Sequence, residues 1–181
     1  DEVEGIADAM NETRRLKKMI NDLLTLTKED YVDLVTKEEV DLEALVKDIC
    51  DDFFDIAMIQ NKTLKISSQL KHKNILSDKN KLRQLFIIFI DNAFKYTEED
   101  DYIKISLSEK DEKIYIKIED NGLGIKKEEL PHLFDRFFRS ENVRNKDIDG
   151  SGIGLSIAKV ISESLKYKLK VDSEYGKWTK F

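Results

Sequence analysis

Residues 102–125, YIKISLSEKDEKIYIKIEDNGLGI, decide the fold. Tyr102–Lys110 and Lys113–Asp120 alternate apolar and polar residues with period two, the pattern of strands that bury one face. The polar stretch Lys110, Asp111, Glu112 between them predicts a hairpin turn. The same alternation sets Ile114, Ile116, Ile118 and Asp120 on one face, so an apolar row ends in a carboxylate. Burying that group is costly unless something donates hydrogen bonds to it.

Working outward, the segment 79–97, KNKLRQLFIIFIDNAFKYT, predicts a long helix in which Leu85, Phe89, Asn92 and Tyr96 share a stripe. Ile87, Ile88 and Ile90 make the rest of its surface apolar too, which predicts a buried Asn92. Upstream, VDLEALVKDICDDFFDIAMIQN (40–61) predicts a second helix with Asp41 as its N-cap. KTLKISS and NILSD read as short strands. Downstream, Ile153 to about Leu165 reads as a helix, and KLKVDSEYGKWTKF as a closing hairpin. The expected product is an α+β fold, a two-layer sandwich of a mixed sheet covered by helices. A long amphipathic helix from Ile6 to about Tyr31 is expected to precede it, with the boundary at residues 35 and 36.

Composition limits the function classes. The 181 residues are 40% hydrophobic and 38% charged, with 31 basic and 37 acidic residues giving a net charge of -6. Both signs are interspersed along the chain, which predicts no broad cationic face and no nucleic-acid partner. Cys50 is alone and sits in an apolar pattern, so it reads as a small core residue. No run approaches the length of a bilayer span, so no membrane contact by this segment is expected.

Six of the seven glycines lie at 122, 124, 150, 152, 154 and 176, outside the regular elements. Gly176 in EYGK reads as an ordinary turn. The sequence GSGIG (150–154) running into a helix points to a phosphate held by free N–H groups at the helix N-terminus. It is not a Gly-x4-Gly-Lys-Ser/Thr loop, and Leu155 stands where a dinucleotide fingerprint needs glycine. Two readings of Asp120 stand here: a turn-capping aspartate, or an acceptor for a ligand such as an adenine amino group. Asn92 likewise either bonds neighbouring backbone or offers an amide oxygen to Mg²⁺, a hard cation that also takes waters and phosphates. Lys95, one turn on, is placed to meet a phosphate.

Taken in order, these stretches resemble the ATP-binding domain of bacterial sensor histidine kinases, part of a superfamily with gyrase, mismatch-repair and chaperone ATPases. DNAFKYT (91–97) looks like the N box, DNGLGI (120–125) the first glycine box, LFDRFFR (133–139) the F box, GSGIGLSIAK (150–159) the second glycine box, and SEYGKWTKF a weakened last box. The resemblance implies that Asn92 ligates Mg²⁺ and Asp120 reads the adenine of ATP. It implies that Lys95, Tyr96, Ile125, Arg136, Arg139, Ser151 and Leu155 line the nucleotide or its lid, with Thr179 below the base. Gly122, Gly124, Gly150, Gly152 and Gly154 would give backbone room, and 134–150 would form the lid. Residues 1–35 resemble the second helix and linker of the dimerisation and phosphotransfer hairpin, and 36–181 the catalytic domain. The implied activity is transfer of the ATP γ-phosphoryl to a histidine and then to a response-regulator aspartate. The hairpin, when complete, implies a homodimer, and the whole a cytoplasmic domain of a membrane-anchored sensor.

Two positions depart from the resemblance. Ile88 stands where the family usually has a second Asn, and where hydrolysing relatives place a Glu that activates water. Trp178 stands where the last box usually has glycine. His72, in the loop LKHKN, and His132, just before the F box, both read as solvated or packing residues, so no phosphoacceptor is expected in the chain. Two rival functions follow: a catalytically silent nucleotide-binding or scaffold module, and a water-using ATPase. Asp91 would point about 100° around the helix from Asn92, poorly placed to serve the second.

Overall fold

The computed structural model describes residues 35–140 and 150–181, together with Ala9, Met10, Thr13, Lys17 and Ile20. Those five positions are helical, and the Thr13 hydroxyl donates to the Ala9 carbonyl at 2.7 Å. The remainder of the expected helix from Ile6 to Tyr31 lies outside the described residues, as do positions 141–149 of the expected lid.

The elements run β1 (Glu38–Asp41), α1 (Leu42–Ile59), β2 (Thr63–Gln69), β3 (Asn74–Ser77), α2 (Lys79–Lys95), β4 (Tyr102–Lys110), β5 (Lys113–Asp120), α3 (Gly154–Ser164), β6 (Asp172–Glu174) and β7 (Trp178–Lys180), with a 3-10 turn at Leu130–His132. Asp41 caps α1 as expected, its carboxylate accepting the Ala44 N–H at 2.9 Å. Asp78 caps α2 through the Lys81 N–H at 2.9 Å and also accepts the Thr36 N–H at 3.0 Å.

The main sheet has the order β2-β4-β5-β7-β6 and is mixed: β2 pairs parallel with β4, and the remaining pairs are antiparallel. Its central hairpin turns at Asp111 and Glu112, both with positive φ (51° and 59°), which suits the right-handed twist of the flanking strands. β1 and β3 form a separate two-stranded sheet. The expectation for this region lacked β1, because Glu38, Glu39 and Asp41 are exposed and only Val40 is buried, too short an alternation to register.

One face of the main sheet is covered. Ile103, Ile105 and Leu107 of β4 meet Leu42, Val46 and Ile49 of α1 and Leu82, Phe86 and Ile90 of α2 in one core, with Cys50 fully buried among them. Burial pushes the Cys50 thiol up to about 12, so it is an inert packing group. Each fully buried Leu or Ile contributes about 1.5–3 kcal/mol. Stacking of Phe53 on Phe94, 5.3 Å between centroids, pins α1 to α2. Among the described residues no helix is long and apolar enough to cross a membrane.

Candidate functional site

The core stripe of α2 fixes what its other side presents. With Phe86, Phe89, Ile90, Ala93 and Phe94 buried, Asn80, Gln84, Ile88 and Asn92 fall in steps of four along the wall of a cavity of about 380 Å³. The buried Asp120 and Thr179 lie at its inner end, and the turn at 123–125, residues 138–140 and Gly150, Ser151, Gly152, Gly154 and Leu155 complete its lining.

The last turn of α2 is tied down from three directions. The Lys62 ammonium donates to the carbonyls of Phe94 (2.7 Å) and Thr97 (2.9 Å), satisfying acceptors that a helix end leaves open. The Thr97 hydroxyl donates to Ala93 O at 2.7 Å. The Tyr96 carbonyl accepts the Leu123 N–H at 2.9 Å, which joins α2 to the turn after β5. Gly122 is required at this junction, since a Cβ there would stand 2.0 Å from Tyr96 O. Gly124, at φ +60°, meets the same limit against Glu174 O at 2.1 Å. Both glycines therefore serve contact between two parts of the chain.

Asp120 ends the apolar row of β5 and is 4% exposed. Burial pushes its carboxyl up from an ordinary 3.8 to about 7; backbone N–H groups of Gly122, at 3.0 Å, and Thr179 work against that rise, while Asp101 and Glu119 add to it. Thr179 stands opposite it in register on β7, and the Thr179 hydroxyl is 3.1 Å from that of Ser173, which in turn accepts the Ile125 N–H at 2.8 Å. The floor is thus a buried acceptor in a hydrogen-bonded frame.

Asn92 is half-buried, and its Nδ2 is buried with no hydrogen-bond partner. The amide is not consumed by neighbouring backbone, the alternative left open by the sequence. Lys95 lines the same wall and pairs with Asp91 at 2.7 Å. Asp91 itself also borders the cavity. Burial raises the Tyr96 hydroxyl, and the nearby Arg139 guanidinium opposes that rise.

On the far side, α3 begins with no side-chain cap at Ile153, so its first-turn N–H groups have no side-chain acceptor from that residue. Gly152, at φ +71°, accepts the Phe137 N–H at 3.0 Å, and a Cβ on it would lie 2.8 Å from Phe138 O. Ile88 packs with Ile153, Ile157 and Ile161, and its Cγ2 lies 3.7 Å from where a Cβ on Gly154 would stand. The isoleucine that departs from the family pattern is thus an apolar seam between α2 and α3.

The structure brings Asn92, Lys95, Tyr96, Asp120, Gly124, Ile125, Arg139, Gly150, Ser151, Gly152, Gly154, Leu155 and Thr179 around one cavity. Gly122 lies behind its wall, and Arg136 is exposed and outside the lining. Sequence reasoning missed Asn80, Arg83 and Gln84; stepping back from Asn92 by fours would have found two of them. Phe181 was also missed, and it stacks on Phe89 at 4.7 Å to close the inner end. The histidines are elsewhere: His72 bonds Glu109 and His132 bonds Asp135, each at 3.0 Å and each exposed.

A family model described as histidine kinase-, DNA gyrase B- and HSP90-like ATPase matches residues 77–181. The chain belongs to this ATPase family. Within it, the similarities are to sensor histidine kinases. The sensor protein CiaH of Streptococcus pneumoniae is 34% identical over 182 residues, covering 100% of this chain and 40% of CiaH. The sensor histidine kinase YkoH of Bacillus subtilis is 30% identical over 176 residues, covering 97% of this chain and 38% of YkoH. Full-length ShkA in complex with AMPPNP shares the fold with a TM-score of 0.80 at 22% identity, over 99% of this chain and 38% of that one. Histidine kinase ThkA in complex with response regulator protein TrrA does so with a TM-score of 0.76 at 21% identity, over 95% and 48%. The chain spans about two fifths of the length of the curated relatives it matches. It corresponds to the ATP-binding catalytic region of those kinases.

Proposed function

We propose that this chain holds Mg-ATP and presents its γ-phosphoryl to a histidine on another segment or chain, for relay to a response-regulator aspartate. The observation that carries the reading is the buried Asp120 carboxylate in a cavity that the uncapped start of α3 also lines. A carboxylate there accepts the adenine amino group, with Thr179 and Ile125 framing the base. From the start of α3 and the loop before it, Gly150, Ser151, Gly152, Gly154 and Leu155 supply backbone N–H groups to the phosphates. Lys95 and Arg139 supply positive charge, and Tyr96 packs beside them. Gly122 and Gly124 act through the turn they allow, and Arg136 acts from the surface.

Asn92 fits a Mg²⁺ that arrives with the phosphates, because its amide is uncommitted on the cavity wall and offers one hard oxygen. Among the described residues no cluster of three or more His, Cys, Asp or Glu would hold a metal by itself. When bound, the ion neutralises charge on the transferring group. The protein's own work is alignment of the nucleotide and exclusion of water by the apolar seam of Ile88, Ile153 and Ile157.

In this reading residues 36–181 are the catalytic domain, and 1–35 the end of a helical hairpin that dimerises when complete. The whole would be the cytoplasmic part of a membrane-anchored sensor. Calorimetry with Mg-ATP, followed by γ-labelled ATP and a supplied helix bearing a histidine, tests it. Mg-dependent binding and label on the supplied histidine are expected, with none on His72 or His132. A second reading, a silent nucleotide-binding module, rests on Ile88, which offers no ligand one turn before Asn92. Binding without transfer would select it.

A further inference from the structure

Strand alternation gives the main sheet a second face, which none of α1, α2 and α3 covers. The charges that look interspersed along the chain are sorted here. Lys65, Lys104, Lys110, Lys113, Lys117 and Lys180 occupy positions that alternate with the core residues of β2, β4, β5 and β7. Three carboxylates share the face: Glu119 is held by Lys117 at 3.1 Å, Asp172 by Lys180 at 3.3 Å, and Glu174 by Lys177. Lys65, Lys104, Lys110 and Lys113 have no carboxylate partner among the described residues.

Register sharpens the point. Lys65 stands directly opposite Lys104, and Lys110 directly opposite Lys113. Like charges directly across a strand pair are destabilising, and one carboxylate in each pair would remove the cost. Meanwhile α1, on the far layer, exposes Asp51, Asp52 and Asp55. A chain of net charge -6 thus has a cationic sheet face on one side and an acidic stripe on α1 on the other.

We propose that this open lysine face of the sheet docks on an anionic lipid bilayer. The face is a run of adjacent strands, which suits a continuous charged layer better than a single anion. Its aromatic members, half-exposed Tyr115 and partly buried Trp178 beside Lys180, are of the type that rests at a headgroup boundary. It carries no arginine, the side chain that dominates nucleic-acid recognition. The sequence argued against membrane contact from the lack of a span, but adsorption needs none. The ATP cavity lies on the helical side, so docking leaves it open.

Vesicle co-sedimentation of the 181-residue chain tests this, using phosphatidylcholine alone and phosphatidylcholine mixed with phosphatidylglycerol, at low and high salt. Binding to the mixed vesicles alone, weakened by salt, is expected. Lys65→Glu with Lys113→Glu should lower it at least about 25-fold, from about fivefold per lysine lost. The same pair places a carboxylate opposite Lys104 and Lys110, so melting temperature should hold or rise and Mg-ATP binding should persist. Lys47→Glu on α1 should leave vesicle binding unchanged. No enrichment on anionic vesicles at low salt, equal binding by the double variant, or binding to soluble polyglutamate without binding to vesicles would each overturn the proposal. The last would identify an acidic polypeptide instead.

Discussion

Asp120 and Thr179 stand opposite each other on β5 and β7, and the Thr179 N–H is one of two backbone donors that oppose the cost of burying the Asp120 carboxylate. The donors compensate only in part, because the group still rises to about 7. An acceptor tuned to this value is half ionised near neutral pH. Folding and ligand binding then want opposite protonation states of the same side chain.

For stability, the folded-state value lies above the ordinary 3.8, so the unfolded chain releases this proton first as pH rises. This group's contribution to stability is full below about pH 4 and falls by a few kcal/mol as pH climbs towards 7. ATP affinity should run the other way, rising through pH 7 as the carboxylate forms. Asp120→Asn should flatten both profiles, weaken ATP binding by about 10–100-fold at pH 8, and leave the melting temperature at pH 8 equal or higher. Calorimetry and thermal melts at pH 5 to 8 read both. A pH-independent affinity in the parent chain would remove Asp120 from the adenine contact.

Asn92→Ala should chiefly weaken the Mg-dependent part of ATP binding, by about tenfold for loss of one ligand or charge-assisted contact. The fold should survive, since Nδ2 has no protein partner to lose. Titrations with Mg²⁺ and with EDTA separate the two contributions. An equal loss in both would make Asn92 a wall residue.

The hairpin, α1 and α2 were legible because long runs of period two and period 3.6 leave little choice of face. Asp120 was legible for the same reason: a carboxylate closing an apolar row is a local pattern. The reasons for Gly122 and Gly124 were not. The sequence linked them to a ligand, whereas the carbonyls of Tyr96 and Glu174, 26 and 50 residues away in chain, leave no room for a side chain. β1 was missed because its single buried residue, Val40, makes no period. The lysine pairs emerged only with register, since Lys65 and Lys104 meet through a parallel pairing that no local pattern encodes.

Lys62 is a structural cation whose loss should be felt in the site. Its ammonium is drawn below its ordinary pKa by burial, yet it closes the end of α2 through Phe94 O and Thr97 O. Lys62→Met keeps the aliphatic stem and removes both donors. A loss of about 1–3 kcal/mol in chemical denaturation is expected, with faster hydrogen exchange at Tyr96 and Leu123. Unchanged exchange there would show that the Leu123 N–H to Tyr96 O bond alone holds the junction.

The glycines should divide by what a methyl group would meet. At Gly122 and Gly124 it would meet carbonyl oxygen at 2.0 and 2.1 Å, and Gly124 is also at φ +60°, so alanine at either position should lower the melting temperature sharply, by several kcal/mol of stability. At Gly150 nothing lies within 4 Å, and at Gly154 the nearest atom is Ile88 Cγ2 at an ordinary 3.7 Å. Alanine at these two should leave the melting temperature within about 1 kcal/mol of the parent. In the proposed reading their cost should appear in ATP affinity, because a methyl group at 154 would then stand where the chain starts α3 beneath the phosphates. Ile88→Ala gives that methyl more room but opens the seam to Ile153 and Ile157, at a cost of about 2–4 kcal/mol. Gly154→Ala combined with Ile88→Ala should therefore lose less than the sum of the two in stability. Simple additivity would show that Ile88 and Gly154 do not share the seam, and full ATP affinity in Gly154→Ala would move the phosphates away from the start of α3.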